Sequence, residues 1–350
     1  QPSRQQLADA LSGNLCRCTG YRPILDAGQR MFDLPAHQLD APPVVAALQS
    51  LQGEGDLHYR QADTNYYAPT TAQGLAALRE QLPAARLIAG TTDVGLWVNK
   101  QFRDLGDIIY VGNVHALRCI EERAADGGTE LYIGAAASLE DAWAALAQRF
   151  SSLTDVWLRF ASPPVRHAGT MVGNVANGSP IGDSPPVLMA LDAQIELRKG
   201  ERVRRMLLAD FYVGYMKNLL EPGEWIQGLA IPLAAQQWQV RAYKISKRFD
   251  CDISALCAGF ALQLNAQGAV QTVRMAFGGM AATVKRASHA EAAVLGQPWN
   301  ADAVKAAQAA LAVDFQPMTD MRASSSYRLK VAQNLLQRLW LETRSDQPLA

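Results

Sequence analysis

Three stretches carry residue types whose spacing could do chemistry. The longest, Phe160 to Asp183 (FASPPVRHAGTMVGNVANGSPIGD), has glycines at 169, 173, 178 and 182, amides at Asn174 and Asn177, and hydroxyls at Thr170 and Ser179. With few large apolar residues to bury a face of its own, it reads as loop and not as core. Glycine lets the backbone take positive φ and come within hydrogen-bond range of a ligand, and small polar side chains suit a ligand rich in hydroxyl and phosphate oxygens. The stretch is therefore expected to hold a large, extended, polar cofactor; the plainer reading is a long surface loop.

A second turn, Gly90-Thr-Thr-Asp-Val-Gly95, follows an expected strand over Arg86 to Ala89 and opens an expected helix from Leu96 to Phe102. A strand entering such a turn aims successive backbone N–H groups at one point, which holds a phosphate without a lysine. It is neither the dinucleotide fingerprint G-x-G-x-x-G nor a Walker loop. The alternative is a tight turn with Thr92 or Asp93 as N-cap. Asp183 likewise has two readings, since Ser184 can cap a helix that Pro185 opens through Leu191, leaving Asp183 to favour its N-terminus instead of a ligand.

The third stretch, Asn14-Leu-Cys-Arg-Cys-Thr-Gly-Tyr-Arg22, places Cys16 and Cys18 one residue apart. On a helix they would point about 200° from one another, so they share a metal only in a turn, which Gly13 and Gly20 favour. A cluster here would lie near the start of the next helix, where free N–H groups and the dipole favour the charge of thiolate-bound iron and sulfide. Two thiols do not complete a four-thiolate set, and Cys119, Cys251 and Cys257 lie in apolar or strand-like contexts, so further ligands would come from elsewhere. Two structural thiols are the other reading. The five histidines have no metal-ligand spacing, and neither a Ser-His-Asp set nor paired carboxylates stand out.

The elements that must position these residues follow from pattern. A helix is expected over 2–12, with Pro2 in its first turn, and a second from Pro23 through Met31. His37 to Gly55, with Pro42 and Pro43, has the composition of a connector. Strands are expected at Tyr66-Tyr67, Ile108 to Val111, Glu130 to Ile133, Ile195 to Leu197 and Ile226 to Ile231. Helices are expected at 72–81, at 139–149 behind a Ser138 cap, and at 211–219. Leu256, Ala258, Phe260, Leu262 and Leu264 alternate on one strand face, and Asn265-Ala-Gln-Gly268 turns the chain into a second strand over 270–277. Helices over 287–294 and 301–312 precede a last one with Ser325 as cap and Tyr327, Val331, Leu335, Leu339 and Trp340 as core.

A length of 350 residues suits two or three domains. Lys plus Arg and Asp plus Glu both total 33, which gives no reason to expect nucleic acid or an anionic membrane as partner. Five cysteines suit a reducing compartment, and a cytoplasmic protein is expected. The longest uncharged stretch, Ile253 to Val273, is broken by a polar turn and reads as a hairpin, so no membrane span is expected. Position 1 is Gln, close to a helix start, which suggests a missing upstream piece.

Together the motifs resemble the iron-sulfur and flavin subunits of the molybdenum hydroxylases, most closely those of bacterial xanthine dehydrogenases. The likeness rests on Gly13-Asn-Leu-Cys-Arg-Cys-Thr-Gly-Tyr-Arg-Pro-Ile24, the loop pair Ile88 to Gly95 and Gly169 to Asp183, and Arg322-Ala-Ser-Ser-Ser-Tyr-Arg328. It implies an α+β chain: a helical iron-sulfur remnant at 1–36, a linker at 37–58, a two-lobed vanillyl-alcohol-oxidase-type FAD-binding domain at 59–234, and an antiparallel sheet with helices at 235–350. It implies that Ile88, Ala89, Gly90, Thr91, Thr92, Asp93, Val94 and Gly95 wrap the FAD pyrophosphate, and that Thr170, Gly173, Asn174 and Asp183 bind near its oxygens. Phe160 would lie against the isoalloxazine and Ile253 would close the flavin edge.

By the same likeness Cys16 and Cys18 supply half the ligands of a [2Fe-2S] cluster, and an upstream ferredoxin-like domain, which this sequence lacks, supplies the rest. The implied activity is electron transfer from a molybdopterin-binding large subunit that hydroxylates xanthine or hypoxanthine, through iron-sulfur to FAD and on to NAD+, within a two-fold heterotetramer. Arg248 and Phe249 are candidates for nicotinamide contact, against a solvated Arg and a packed Phe. The alternatives are an aldehyde, nicotinate or aromatic-thioester substrate, O2 as acceptor, a self-contained FAD oxidase, or a structural zinc at Cys16 and Cys18.

Overall fold

In the computed structural model, which describes residues 1–16, 18–51, 53 and 55–344, the chain is α+β and is built on three principal sheets. The first pairs Leu57–Gln61 with Thr64–Ala68 as a hairpin, then adds Ile108–Tyr110 and Arg86–Ile88 in parallel. Its helices are Ala72–Gln81, capped by Thr71 Oγ1 accepting from the Gly74 amide, and Val94–Gln101, which ends where Phe102 turns left-handed at φ 53°. The second sheet is fully antiparallel, in the order Ile120–Ala125, Gly128–Gly134, Trp225–Pro232, Gln194–Lys199, Arg202–Leu207. One core serves both sheets: Ile109 of the first sheet and Leu75 of the helix Ala72–Gln81 pack in the same cluster as Leu131 and Leu197 of the second sheet and Trp143 and Leu146 of the helix Leu139–Arg149. The two lobes thus share one apolar interior, and any ligand between them lies on a stiff floor.

The third sheet runs Gln239–Ile245, Leu256–Leu264, Val270–Gly278 and Lys285–Arg286, all antiparallel, with Ser288–Val294, Ala301–Asp314 and Ser325–Thr343 covering it. Phe260, Phe277 and Phe315 stack edge to face in this second core, with Leu336 and Leu339 of the last helix. The expected alternation on Leu256–Leu264 is only half the pattern, because both faces are buried over its first seven residues. The other face receives the helix Ser184–Ala190, and a Cβ at Gly259 would stand 2.5 Å from the Pro186 carbonyl oxygen. Glycine is needed there for the helix to reach the sheet.

Several expectations are corrected. Phe160 to Asp183 is not a loop: Pro163–Ala168 and Met171–Asn177 are helices, and Met171, Val172 and Val175 are buried. Prolines at the first turn, Thr170 Oγ1 capping the Gly173 amide, and Gly178 closing left-handed at φ 63° make short helices from a glycine-rich stretch. The expected helix at 211–219 is instead the small hairpin Tyr212–Gly214 with Lys217–Asn218, turned by Met216 at φ 53°.

Ser324, not Ser325, caps the last helix, and Tyr327 is exposed. The first helix is Arg4–Ala10, with Ser3 in a capping box, so Pro2 precedes it, and the second, Tyr21–Arg30, starts before Pro23. Within the connector, Ala41–Ser50 is a helix whose Val44, Val45 and Leu48 are all exposed. Arg17 of the cysteine motif, Gln52 and Glu54 of the connector, and residues 345–350 lie outside the described residues. Among the described residues no helix is long and apolar enough to cross a membrane.

Candidate cofactor site

The turn after Arg86–Ile88 and the start of Met171–Asn177 meet. A Cβ on Gly90 would lie 1.8 Å from the Ala168 carbonyl oxygen, and one on Gly169 would lie 3.2 Å from Thr92 Oγ1. No side chain fits between these strands of backbone. Thr91 sits left-handed at φ 55°, and the Gly95 amide donates back to the Thr91 carbonyl at 2.8 Å, curling the turn. The amides of Thr91, Thr92 and Asp93 have no partner among the described residues, and they stand at the N-terminus of Val94–Gln101. Free donors plus a helix dipole make this end anion-seeking.

Two cavities open beside the paired turns. The larger, of about 480 Å³, is lined by Ile88, Ala89, Gly90, Thr91, Thr92, Asp93 and Val94 from one turn and by Thr170, Gly173 and Asn174 from the other. The smaller, of about 310 Å³, shares Ala89, Gly90 and Thr170 and adds Arg118, Asp141 and His167. Both expected stretches therefore contribute to one site, although the second does so as helix and not as loop. Thr170 Oγ1 accepts from the Gly173 amide at 3.0 Å, so this oxygen caps a helix while its proton remains to be donated.

The remaining expected residues are placed elsewhere. Gly95 shapes the turn without lining the cavities. Phe160 is 9% exposed and packs on Trp143, ring centroids 6.1 Å apart, so it belongs to the core and not to the wall of either cavity. Asp183 is buried in a charged cluster: Lys244 Nζ donates to its Oδ2 at 2.6 Å and Ser254 Oγ to its Oδ1 at 2.6 Å. Both carboxylate oxygens are taken by this cluster, and Asp183 lines neither cavity. Ile253 is 52% exposed, on an outer surface.

Sequence reasoning missed several wall residues. Trp97 stands in the cavity with the guanidinium of Arg86 at 5.1 Å and that of Arg103 at 5.3 Å from its ring. Trp225 and Arg79 line it as well, and burial lowers the Arg79 pKa. Only the fold brings these positions together. Glu224, at the same wall, is held by Arg204 at 2.8 Å, so its charge is spent.

The lining fits a large phosphate-bearing cofactor. Asn174 Oδ1, Trp225 Nε1 and Arg79 Nε are buried without a partner among the described residues, and all three belong to residues that line the larger cavity. Buried polar atoms left unpaired are costly, so three of them around one void mark a place where hydrogen bonds are still to be made.

The cysteine pair lies in a turn between the first two helices, as shared ligation requires. Cys16 Sγ accepts from the Cys18 amide at 3.4 Å and the Gly20 amide at 3.2 Å, and these two bonds lower its pKa. A Cβ at Gly20 would stand 2.8 Å from that sulfur, so glycine keeps the amide close. Amides directed at a thiolate suit an iron-sulfur ligand. Among the described residues no group of three or more His, Cys, Asp or Glu forms a metal site, so this pair could supply part of a ligand set only.

Comparison with known proteins agrees with this geometry. Residues 60–234 match the FAD binding domain in molybdopterin dehydrogenase, 241–343 the CO dehydrogenase flavoprotein C-terminal domain, and 1–29 a [2Fe-2S] binding domain. A xanthine dehydrogenase of Drosophila subobscura is 30% identical over 85% of this chain and 26% of its own length. A nicotinate hydroxylase of Emericella nidulans is 29% identical over 81% of the chain and 22% of its own length. The chain thus spans about a quarter of the length of the curated relatives it matches. A chain of carbon monoxide dehydrogenase from Hydrogenophaga pseudoflava, in a form lacking the Mo-pyranopterin moiety, superposes with a TM-score of 0.72 at 26% identity, covering 80% of this chain and 96% of that one.

Proposed function

The chain belongs to the family built on the FAD-binding domain of molybdopterin dehydrogenases, and from that membership we propose that it is the iron-sulfur and flavin subunit of a bacterial xanthine dehydrogenase. It would carry electrons from a molybdopterin-binding large subunit to NAD+. In this reading the large subunit hydroxylates xanthine or hypoxanthine, and the two subunits form a two-fold heterotetramer in the cytoplasm, where five unpaired cysteines stay reduced. The observation that carries it is the meeting of the two glycine turns around a cavity with unpaired donors and acceptors.

The residues then have distinct tasks. The amides of Thr91, Thr92 and Asp93 take the diphosphate, with Arg79 and Arg86 as nearby positive charge. Asn174 Oδ1 accepts from a ligand hydroxyl, and Trp97 and Trp225 give flat walls. When bound, FAD supplies the step between one-electron donors and a two-electron acceptor. Cys16 and Cys18 give two thiolates to a [2Fe-2S] cluster whose other ligands come from a ferredoxin-like domain. Arg159 holds the exposed Phe249 from below, its Nε donating to the Phe249 carbonyl at 3.0 Å, and this ring with Arg248 is where the nicotinamide would approach.

The substrate is chosen by the large subunit, and the nicotinate hydroxylase relative makes nicotinate the second reading. With the complex assembled anaerobically, xanthine should bleach the flavin absorbance and NAD+ should restore it. Bleaching by nicotinate alone would move the assignment within the family. A flavin that responds to no reduced partner would overturn the electron-transfer role.

A further inference from the structure

The short helix Pro163–Ala168 touches a glycine at each end, and neither glycine has room for a side chain. At its C-terminal end the Ala168 carbonyl meets Gly90 of the cofactor turn; just before its first residue, Ser162 meets Gly13, where a Cβ would lie 2.5 Å from Ser162 Cβ and 2.9 Å from Ser162 Oγ. Gly13 is left-handed at φ 98°, and its carbonyl accepts from the Leu15 amide at 2.9 Å, one residue before Cys16. One rigid element therefore connects the cysteine turn with the cavity.

The same point is locked from a third side. Cys251 Sγ donates to the Ala161 carbonyl at 3.4 Å, and the Gly13 amide and Ser12 hydroxyl lie against that sulfur. Ala161 at φ 49° and Cys251 at φ 53° are both left-handed without being glycine, which costs free energy and persists only where the surroundings impose it. Arg166, almost wholly buried, pairs with Glu140 and donates from Nη1 to the Phe160 carbonyl at 2.9 Å, while Arg159 Nη1 donates to the Lys244 carbonyl at 3.1 Å. Strained backbone converges where the three segments meet.

We propose that Gly13, Ser162 and Cys251 are positioning residues: through the helix Pro163–Ala168 they fix the Cys16–Cys18 turn relative to the cofactor turn, and so set the separation of the cluster and the flavin. The inference rests on the cofactor assignment above. Electron transfer falls steeply with distance, so a joint that admits small displacements slows transfer without touching either cofactor.

The test uses the complete holoprotein. Cys251→Ala and Gly13→Ala are expected to raise amide exchange over residues 12–24 at least tenfold and to slow electron equilibration between iron-sulfur and flavin at least tenfold. FAD content and the exchange of the third sheet stay at wild-type values. Cys251→Ser, which keeps a donor to the Ala161 carbonyl, is expected to recover most of the loss, and Ser162→Gly placed in the Gly13→Ala background to recover part of it. If Cys251→Ala leaves both exchange and equilibration within twofold of wild type, the positioning role is wrong. Loss of bound FAD in the parent protein would instead strike the cofactor assignment, and the exchange measurement still reads the joint.

Discussion

Gly90 is the residue on which the site turns. Alanine there would force its Cβ into the Ala168 carbonyl, so the two turns must separate. Overpacking of this kind costs about 1–3 kcal/mol, and if the strain falls on the bound geometry, FAD affinity drops about 10- to 100-fold. Equilibrium titration of Gly90→Ala with FAD measures it; affinity equal to wild type would show that the close approach is not needed. The glycines and Asn174 were legible in the sequence because their types alone speak of backbone approach and hydrogen bonding. Trp97, Trp225 and Arg79 were not, since nothing local marks a tryptophan or arginine as a wall until distant segments are folded together. Phe160 and Asp183 are the opposite case, for they sit next to the site in sequence but the core and a buried lysine take them.

The contacts between elements make their own predictions. Lys244 on Gln239–Ile245 and Asp183 at the start of Ser184–Ala190 join the third sheet to the flavin lobe, and their side chains are 1% and 5% exposed. Lys244→Met leaves a buried carboxylate with Ser254 as its one remaining side-chain donor, expected to cost about 3–5 kcal/mol in urea unfolding. Asp183→Leu in the same chain should recover much of it, whereas a loss below about 1 kcal/mol would mean that water reaches the pair.

The C-terminal helix reports through pH. Partial burial opposes ionisation of Asp320, but the amides of Arg322 and Ala323 and the guanidinium of Arg328 outweigh it and bring the carboxyl down to about 2. Unfolded, it would titrate near about 3.9. Its stabilisation is present above that value and is lost as pH falls through about 2, because the unfolded chain takes the proton first. Asp320→Asn should therefore flatten the acid limb of stability between about pH 4 and 2; an unchanged slope would contradict the assignment. The motif containing Arg328 stands out in the sequence, but the work of that arginine does not. Arg328 donates to the carbonyls of Ala255 and Gly279 at 2.6 and 2.7 Å, a task that needs three separated segments in place. The segment 211–219 misled for a related reason: Tyr212 and Val213 suit a strand as readily as a helix, and the turn is made by Tyr215 with Met216 left-handed at φ 53°.

At the scale of the whole molecule, the succession of a helical pair, two sheets with one core and a third sheet with its own is what lets two glycine turns, about 80 residues apart by the spacing of Gly90 and Gly169, face one void. The α+β class and the antiparallel third sheet were legible from alternation and turns. The parallel pairing of Arg86–Ile88 with Ile108–Tyr110, and the single interior shared by two lobes, were not, because short strands carry no label of their partner. The most direct measurement is the flavin itself: release by acid from the purified protein, identification, and titration of the stripped protein with FAD while following tryptophan emission. The account predicts one FAD per chain and quenching of Trp97 and Trp225, both shifted together to about 10- to 100-fold higher FAD concentration in Gly90→Ala. A protein that purifies without flavin and takes up none, or that binds FAD with no change in emission, would contradict it.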